Sequence, residues 1–502
     1  MKKIAKFLIV LGMMGQLSSC DYLDIVPDER AQESDTWKTE GAVRGYLYSC
    51  YGYLPANRTF GNSYWLAEEL TAVTKELFTT FKYGYYSPVS LGFTSNTWST
   101  IWNGIHQCYM FQESLKQVSN EYVTDEMKKQ YLAESNFLIA YYHFLSMRSY
   151  GPTMIIRSVI DLETPISGFP ERSSIDEVVA FINEKLDEAL SEGGLPTTWS
   201  GKDYGRATRL AALALKSRVY LYAASPLYNG NTEMYADFRS PLDGRQLIAQ
   251  EKSQAKWEIS ATQTKYAIDE VEKAKFHLYH DADAGEPSDA KPGLPNKAQR
   301  RLRYTNIDNQ TGNNPEIIWA DTRNDDYYGI QRRCPPRQTL GGKFAGISMT
   351  NCPTLQTIEA FYTKNGLPIN KDKTFDYDER YEYISAPENC DGNNYEDLVK
   401  YANFTPSSDK VMRLCTDREP RFYAWTTYHN GYFEFGKYNN EEISADPAKR
   451  AIRIHLLRDD PHGRGNRTDQ EYSISGFGNK KGVVPSAEWN VIEYPFPLFR
   501  LA

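Results

Sequence analysis

Residues 205–224 read GRATRLAALALKSRVYLYAA, and this stretch decides the class of fold. Ala207, Ala211, Ala212 and Ala214 precede Val219, Tyr220, Leu221 and Tyr222, and neither Gly nor Pro interrupts the run after Gly205. The stretch therefore predicts a helix ending near Ala224. It is apolar on most sides, and its small side chains let neighbouring helices approach closely. It is expected to be the central, most buried helix.

Working outward, Ile175, Val178, Val179, Ile182, Leu186 and Leu190 recur at helical spacing. Ser174 with Glu177 supplies a capping box at the start, and Gly193-Gly194 with Pro196 the stop. Leu138, Tyr141, Tyr142 and Leu145 mark an earlier helix closed by Gly151-Pro152. Three more sets share the period: Trp98, Ile101, Trp102, Ile105 and Tyr109; Leu66, Leu70, Val73 and Leu77; and Val43, Tyr46, Leu47, Cys50, Tyr51 and Leu54. Trp257 to Lys273 predicts another helix downstream. Successive helices on short or medium connections suggest stacked helical hairpins, although the spacing is too irregular to establish a tetratricopeptide array by itself. After residue 280 the texture changes. Pro, Gly, Asn and Asp punctuate Asp281 to Pro353, and Ile317-Ile318-Trp319 and Phe422-Tyr423-Ala424-Trp425 read as small strands. The expected fold is mainly α: a helical region over 36–280, then a loop-rich region over 281–502 with a few short strands.

The chain has 502 residues, which at roughly 150 per domain argues for two or three structural units. An apolar content of 41% and a charged content of 24% are those of a globular protein, so disorder is excluded. With 57 Lys+Arg against 65 Asp+Glu the net charge is −8, a balance that disfavours nucleic acid as a partner. The unusual feature is 37 Tyr beside 22 Phe and 9 Trp, many rings that carry a polar handle.

The amino terminus, MKKIAKFLIVLGMMGQLSSC, reads as an address. Lys2, Lys3 and Lys6 precede a short apolar run, Phe7 to Met14, too short to span a bilayer stably. Leu17-Ser18-Ser19-Cys20 resembles a bacterial lipobox, so residues 1–19 are expected to be a lipoprotein signal peptide. Cys20 is the expected lipid anchor, with 20–35 a tether holding the protein to a membrane face. The six other cysteines match no zinc spacing; Cys50 and Cys108 fall on apolar helix faces and read as buried thiols, and a disulfide between Cys334 and Cys352 is open.

Taken in order along the chain, several segments resemble the SusD/RagB family of Bacteroidetes. They are Ser19-Cys20-Asp21-Tyr22-Leu23-Asp24, Trp102-Asn103-Gly104-Ile105, and Ala133-Glu134-Ser135-Asn136-Phe137-Leu138 through Tyr150-Gly151-Pro152. Gly205-Arg206-Ala207-Thr208 through Tyr222 is similar to the family's most recognisable motif, and Asn314-Pro315-Glu316-Ile317-Ile318, Glu359-Ala360-Phe361, Asn365-Gly366 and Asp417-Arg418-Glu419-Pro420-Arg421 fit its carboxy-terminal region. The resemblance implies tetratricopeptide-like helical pairs, an outer-membrane location facing the exterior, a glycan or similar nutrient as ligand, and a SusC-like TonB-dependent transporter as partner. The ending Pro497-Leu498-Phe499-Arg500-Leu501-Ala502 resembles a family segment that continues into further helices. The carboxy-terminal region is thus expected to be shortened, with Leu498, Phe499 and Leu501 short of packing.

Sugars present an apolar face to aromatic rings and hydroxyls to Asn, Asp and Arg. Two segments combine these types. One runs from Tyr83 through Tyr85 and Tyr86 to Phe93, Asn96 and Trp98; the other holds Tyr304-Thr305-Asn306 and then Arg323, Asp325, Tyr327 and Tyr328. Trp98 has a second reading as a core residue of its helix. No nucleophile elbow, HExxH or Walker loop occurs. His277, His280, Asp281 and Asp283 read as a solvated helix end, so no metal, cofactor or catalytic residue is expected. The expected function is glycan binding and delivery to the transporter. The alternatives are an anchored polysaccharide-degrading enzyme, or a transporter lid without a ligand site.

Overall fold

The computed structural model describes residues 37–55, 68–72, 84, 87, 94–161, 163–285, 297–308, 314–323, 330–336, 349–385, 410–434, 451–460, 462–464, 472–484 and 494–502. The amino-terminal address, with Cys20, lies outside them. Among the described residues six long helices build the first half: α1 (Glu40–Tyr51), α2 (Thr94–Leu115), α3 (Asp125–Tyr150), α4 (Ile175–Ala189), α5 (Arg209–Ala224) and α6 (Gln254–Lys273). They pack as sequential neighbours, α1 on α2, α2 on α3, α3 on α4, α4 on α5 and α5 on α6, which is the stacked-hairpin arrangement the sequence implies.

Their ends follow local chemistry. Thr39, Thr124 and Thr208 each accept a backbone N–H of the first turn through the side chain, and Ser174 with Glu177 forms the full capping box. Gly151 closes α3 at φ 72°, a left-handed position that glycine adopts without a Cβ clash.

The centre of the core is α3, not α5. Every residue from Phe137 to Met147 is buried, because α1, α2, α4 and α5 all pack against it. By contrast, α5 leaves Leu221 49% exposed. Its alanines serve close contact with α6 and α4 rather than complete enclosure. Close packing has a direct consequence at Gly104 on α2, where a Cβ would lie 2.7 Å from the Tyr142 ring. That ring is fully buried and its hydroxyl donates to the Cys50 carbonyl at 2.6 Å, so it has no room to yield. Gly104→Ala is expected to lower stability by about 1–3 kcal/mol through overpacking, measurable as a lower thermal unfolding midpoint.

In the second half, short helices α7 (Lys297–Tyr304), α8 (Leu355–Ala360) and α9 (Pro420–Trp425) alternate with short strands. Among the described residues, and counting three in the first half, the strands are β1 (Leu70–Thr71), β2 (Thr153–Met154), β3 (Arg172–Ser173), β4 (Ile317–Asp321), β5 (Cys352–Pro353), β6 (Tyr383–Ser385), β7 (Lys410–Met412), β8 (Thr426–Thr427), β9 (Tyr432–Glu434), β10 (Ala451–Arg453), β11 (Gly478–Asn479) and β12 (Phe496–Arg500). Among the described residues they form six antiparallel two-stranded ladders: β1–β5, β2–β3, β4–β12, β6–β7, β8–β11 and β9–β10.

Three expectations are corrected. Leu70, placed on a helix by spacing, lies in β1, because it pairs with Pro353 far along the chain; Leu66, Val73 and Leu77 lie outside the described residues. Phe422–Trp425 is helical, because Pro420 at the first turn presets the backbone for a helix. Phe499, expected to lack packing, is 3% exposed: β12 pairs with β4, and the ring stacks on Trp319 with centroids 6.0 Å apart inside the helical core. The second half therefore contributes to the core of the first. A separate small core surrounds Ile358, Val411, Leu414, Phe422 and Tyr428.

Cys50, Cys108, Cys334, Cys352 and Cys415 are buried free thiols. Cys334 accepts from the Asn479 side chain at 3.4 Å and is not bonded to Cys352.

Candidate functional site

Of the residues chosen from the sequence, Trp98 and Arg323 can be placed with their side chains. Asn96 lies within α2, and nothing further is described of its side chain; Tyr85, Tyr86, Asp325, Tyr327 and Tyr328 lie outside the described residues. Trp98, in the second turn of α2, is half-buried. Its ring meets Tyr150 edge-on at 4.9 Å and Trp102 at 5.3 Å, and Trp102 in turn meets His143 at 6.0 Å. His143 is fully buried, and that burial pulls its pKa down to about 4, so it is a neutral wall at physiological pH. Trp98 is thus the outermost member of an aromatic row that is rigid on its inner side. Helical spacing sets Trp98 and Trp102 four residues apart on one face, while the Tyr150 contact comes from the carboxy-terminal end of α3.

Arg323 is committed to the protein. Its Nε and Nη2 donate to the two carboxylate oxygens of Asp321 at 2.9 and 2.7 Å, Nη1 to the Leu54 carbonyl at 2.7 Å and Nη2 to the Pro55 carbonyl at 2.9 Å. This fork ties the segment after α1 to the end of β4 and anchors the chain entering 324–329. Most of its donors are spent in doing so. Tyr304, in the same chosen segment, is 3% exposed and belongs to a small core with Tyr279, Ile307 and Tyr494. Asn306 accepts from Arg500 at 2.8 Å.

The motif residues that carry the family resemblance meet in the interior. Glu134 on α3 is fully buried and accepts from Arg206 Nη2 at 2.5 Å, from Arg206 Nε at 3.2 Å and from the Tyr51 hydroxyl at 2.6 Å. Tyr51 also accepts the Ala207 N–H at 2.9 Å. Asp203 takes Arg206 Nη1 at 2.8 Å, and the guanidinium lies 3.9 Å from the centroid of the Trp199 ring. Burial by itself would lower the pKa of Arg206, and the carboxylates of Glu134 and Asp203 more than reverse it, which holds the guanidinium charged; burial raises the pKa of Glu134, and the hydrogen bonds from Arg206 and Tyr51 pull it back down. This cluster joins α1, α3 and the entry to α5 with its donors satisfied. It is a fold lock, not a ligand site.

Among the described residues no group of three or more His, Cys, Asp or Glu is placed to hold a metal ion. His277 and His280 stack with ring centroids 5.2 Å apart beside a one-turn helix, and Asp283 caps it by accepting the His280 N–H at 2.6 Å, as a helix end requires. The sequence reading also passed over Asp376 to Tyr383, where tyrosines alternate with charged residues and Tyr381 and Tyr383 stand exposed.

Residues 21–221 match the model of a SusD-like family described as starch-binding and associating with the outer membrane, and residues 315–502 match the model of the SusD family. The chain belongs to the SusD/RagB family. A solved structure of the protein BT4246 is 26% identical, with a TM-score of 0.72 over 92% of this chain and 77% of that one. A SusD-like protein of Bacteroides fragilis (BF3747) is 19% identical, with a TM-score of 0.61 over 94% of this chain and 75% of that one. A SusD-like carbohydrate binding protein from the same species (BF0978) is 16% identical, with a TM-score of 0.55 over 93% and 72%. The last two attest the fold alone. No curated protein matches the chain.

Proposed function

We propose that the protein is a cell-surface glycan-binding lipoprotein, anchored at Cys20 to the outer membrane, that passes oligosaccharide to a SusC-like TonB-dependent transporter without catalysing a reaction. The observation that carries the glycan reading is Trp98: a half-exposed indole braced by Tyr150 and Trp102, on the helix entered from the Tyr- and Asn-rich segment that holds Tyr85, Tyr86 and Asn96. A braced ring stacks on a sugar face with little ordering cost, and the neighbouring polar residues supply partners for hydroxyls. Asp325, Tyr327 and Tyr328, which follow Arg323 in the sequence, carry the same combination of rings and hydroxyl partners. The family described as starch-binding and outer-membrane-associated supports this reading. Among the described residues no helix is long and apolar enough to cross a membrane.

The test is affinity electrophoresis of the full-length protein in mild detergent, through native gels containing soluble starch, laminarin, xylan or galactomannan. Retardation is expected in one of them. Trp98→Ala is expected to weaken it by about 5- to 30-fold, the loss of a stacking aromatic contact worth roughly 1–2 kcal/mol. A folded protein that migrates unretarded in every gel overturns the glycan reading, and turnover of the polysaccharide by the purified protein would favour the enzyme.

A further inference from the structure

Residues 375–385, FDYDERYEYIS, lie outside every segment chosen from the sequence as ligand-binding. We propose that Tyr381 and Tyr383 form a second carbohydrate-stacking platform, on the carboxy-terminal region, that takes the apolar face of a neutral polysaccharide. The proposal rests on the glycan-binding reading above.

The backbone beneath the two rings is fixed. Tyr383 enters β6 opposite Met412 of β7, and the ladder is prolonged by Arg413 N–H to the Glu382 carbonyl at 3.0 Å and Leu414 N–H to the Arg380 carbonyl at 2.8 Å. On the inner side, Phe375 is buried in the small core, with Tyr377 and Ile384 packed against it. Tyr381 and Tyr383 point the other way and stay 44% and 40% exposed.

Exposure here is not looseness. The Tyr381 hydroxyl donates to Glu359 of α8, and the Arg380 guanidinium lies 4.5 Å from the centroid of its ring. That guanidinium also lies 4.0 Å from the centroid of the Tyr377 ring and is held by the Glu359 carboxylate at 2.7 Å and the Tyr377 carbonyl at 2.9 Å. The guanidinium thus contacts both the Tyr377 and Tyr381 rings and holds Tyr381 in place while it stays exposed. Tyr383 is steadied by His429, edge-on at 6.2 Å.

A protein that leaves two large rings in water while fixing both from behind has prepared a surface for a flat apolar partner. The rim suits a neutral sugar. Glu379, Glu382 and Asp378 are exposed beside the rings, and Arg413 is paired with Glu379 at 3.1 Å. Such groups accept and donate to hydroxyls, whereas an excess of carboxylates repels an acidic polymer. Because both rings are already ordered, binding freezes little additional side-chain freedom.

The experiment uses the same native gels of soluble starch, laminarin, xylan and galactomannan, with full-length wild type, Tyr381→Ala, Tyr383→Ala and Tyr381→Phe. In the gel that retards wild type, each alanine variant is expected to bind about 2- to 10-fold more weakly, and Tyr381→Phe, which keeps the ring, to stay near wild type. Unchanged far-ultraviolet circular dichroism and unfolding midpoint confirm that the variants fold. Retarded wild type with both alanine variants equally retarded overturns the platform and leaves the glycan reading standing. Wild type retarded by none of the four polysaccharides overturns both.

Discussion

Glu134→Ala is expected to destabilise the protein by about 3–5 kcal/mol, because it leaves the buried Arg206 guanidinium without its principal counter-charge. Glu134 is fully enclosed and Arg206 is 8% exposed. Water cannot replace the lost partner, and Asp203, which holds only Nη1, cannot reach Nε and Nη2 as well. The Tyr51 hydroxyl loses its acceptor in the same step. The cost is therefore not that of a surface ion pair, which is roughly 0–1 kcal/mol. The double variant Glu134→Ala, Arg206→Met is expected to recover part of the loss, since an apolar side chain no longer needs a buried partner. Thermal unfolding followed by near-ultraviolet circular dichroism measures both. A Glu134→Ala midpoint equal to wild type would show that the pair contributes nothing net.

The second large effect is expected at Arg418→Ala, on the order of 3–5 kcal/mol and confined at first to the carboxy-terminal region. Arg418 is 2% exposed, yet its guanidinium donates to four backbone carbonyls: Leu414 at 2.5 Å, Ile358 and Phe361 at 2.7 Å each, and Tyr362 at 3.4 Å. The planar group also lies 4.8 Å from the Phe422 ring. It closes the end of α8 onto the turn before α9. Removal strands several acceptors at once and opens a cavity where the guanidinium was. Lysine is expected to rescue little, because an ammonium cannot present the same planar fork. Limited proteolysis should show new cleavage between residues 355 and 425 in Arg418→Ala while the helical half resists. Simultaneous loss of both halves would contradict this local role.

Much of the scaffold was legible because its signals are local. Periodicity and caps located α1, α3, α4, α5 and α6, and the Ser174–Glu177 box closes as its spacing implies. The misses are non-local. Nothing near Leu70 announces that its partner is Pro353, and helical spacing over so few residues is satisfied by chance. At Phe422 a local start signal, Pro420, was present and outweighed by the aromatic run. The placing of α5 at the centre followed from small side chains, but centrality depends on how many helices pack around it, and four surround α3 against three around α5.

The site was legible in residue type and less so in use. Arg323 carries the right chemistry for a hydroxyl, yet the carbonyls of Leu54 and Pro55, far off in the chain, claim its donors. Motifs such as Ala133-Glu134-Ser135 and Gly205-Arg206-Ala207-Thr208 proved to be two halves of one buried contact. They identify the family because they hold the scaffold, and for that reason they say nothing of the ligand. The exposed tyrosines of β6 and the turn before it left a fainter trace, Tyr381 and Tyr383 alternating with charge.

The central claim, capture of a glycan at the surface for import, is tested most directly by uptake of a fluorescent oligosaccharide, prepared from the polysaccharide that retards the protein in gels. Cells lacking the gene would be compared with cells complemented by wild type or by Cys20→Ala. Uptake is expected to be lost with the gene, to return with wild type and to fail to return when the anchor cysteine is removed. Undiminished uptake in cells without the protein would contradict it.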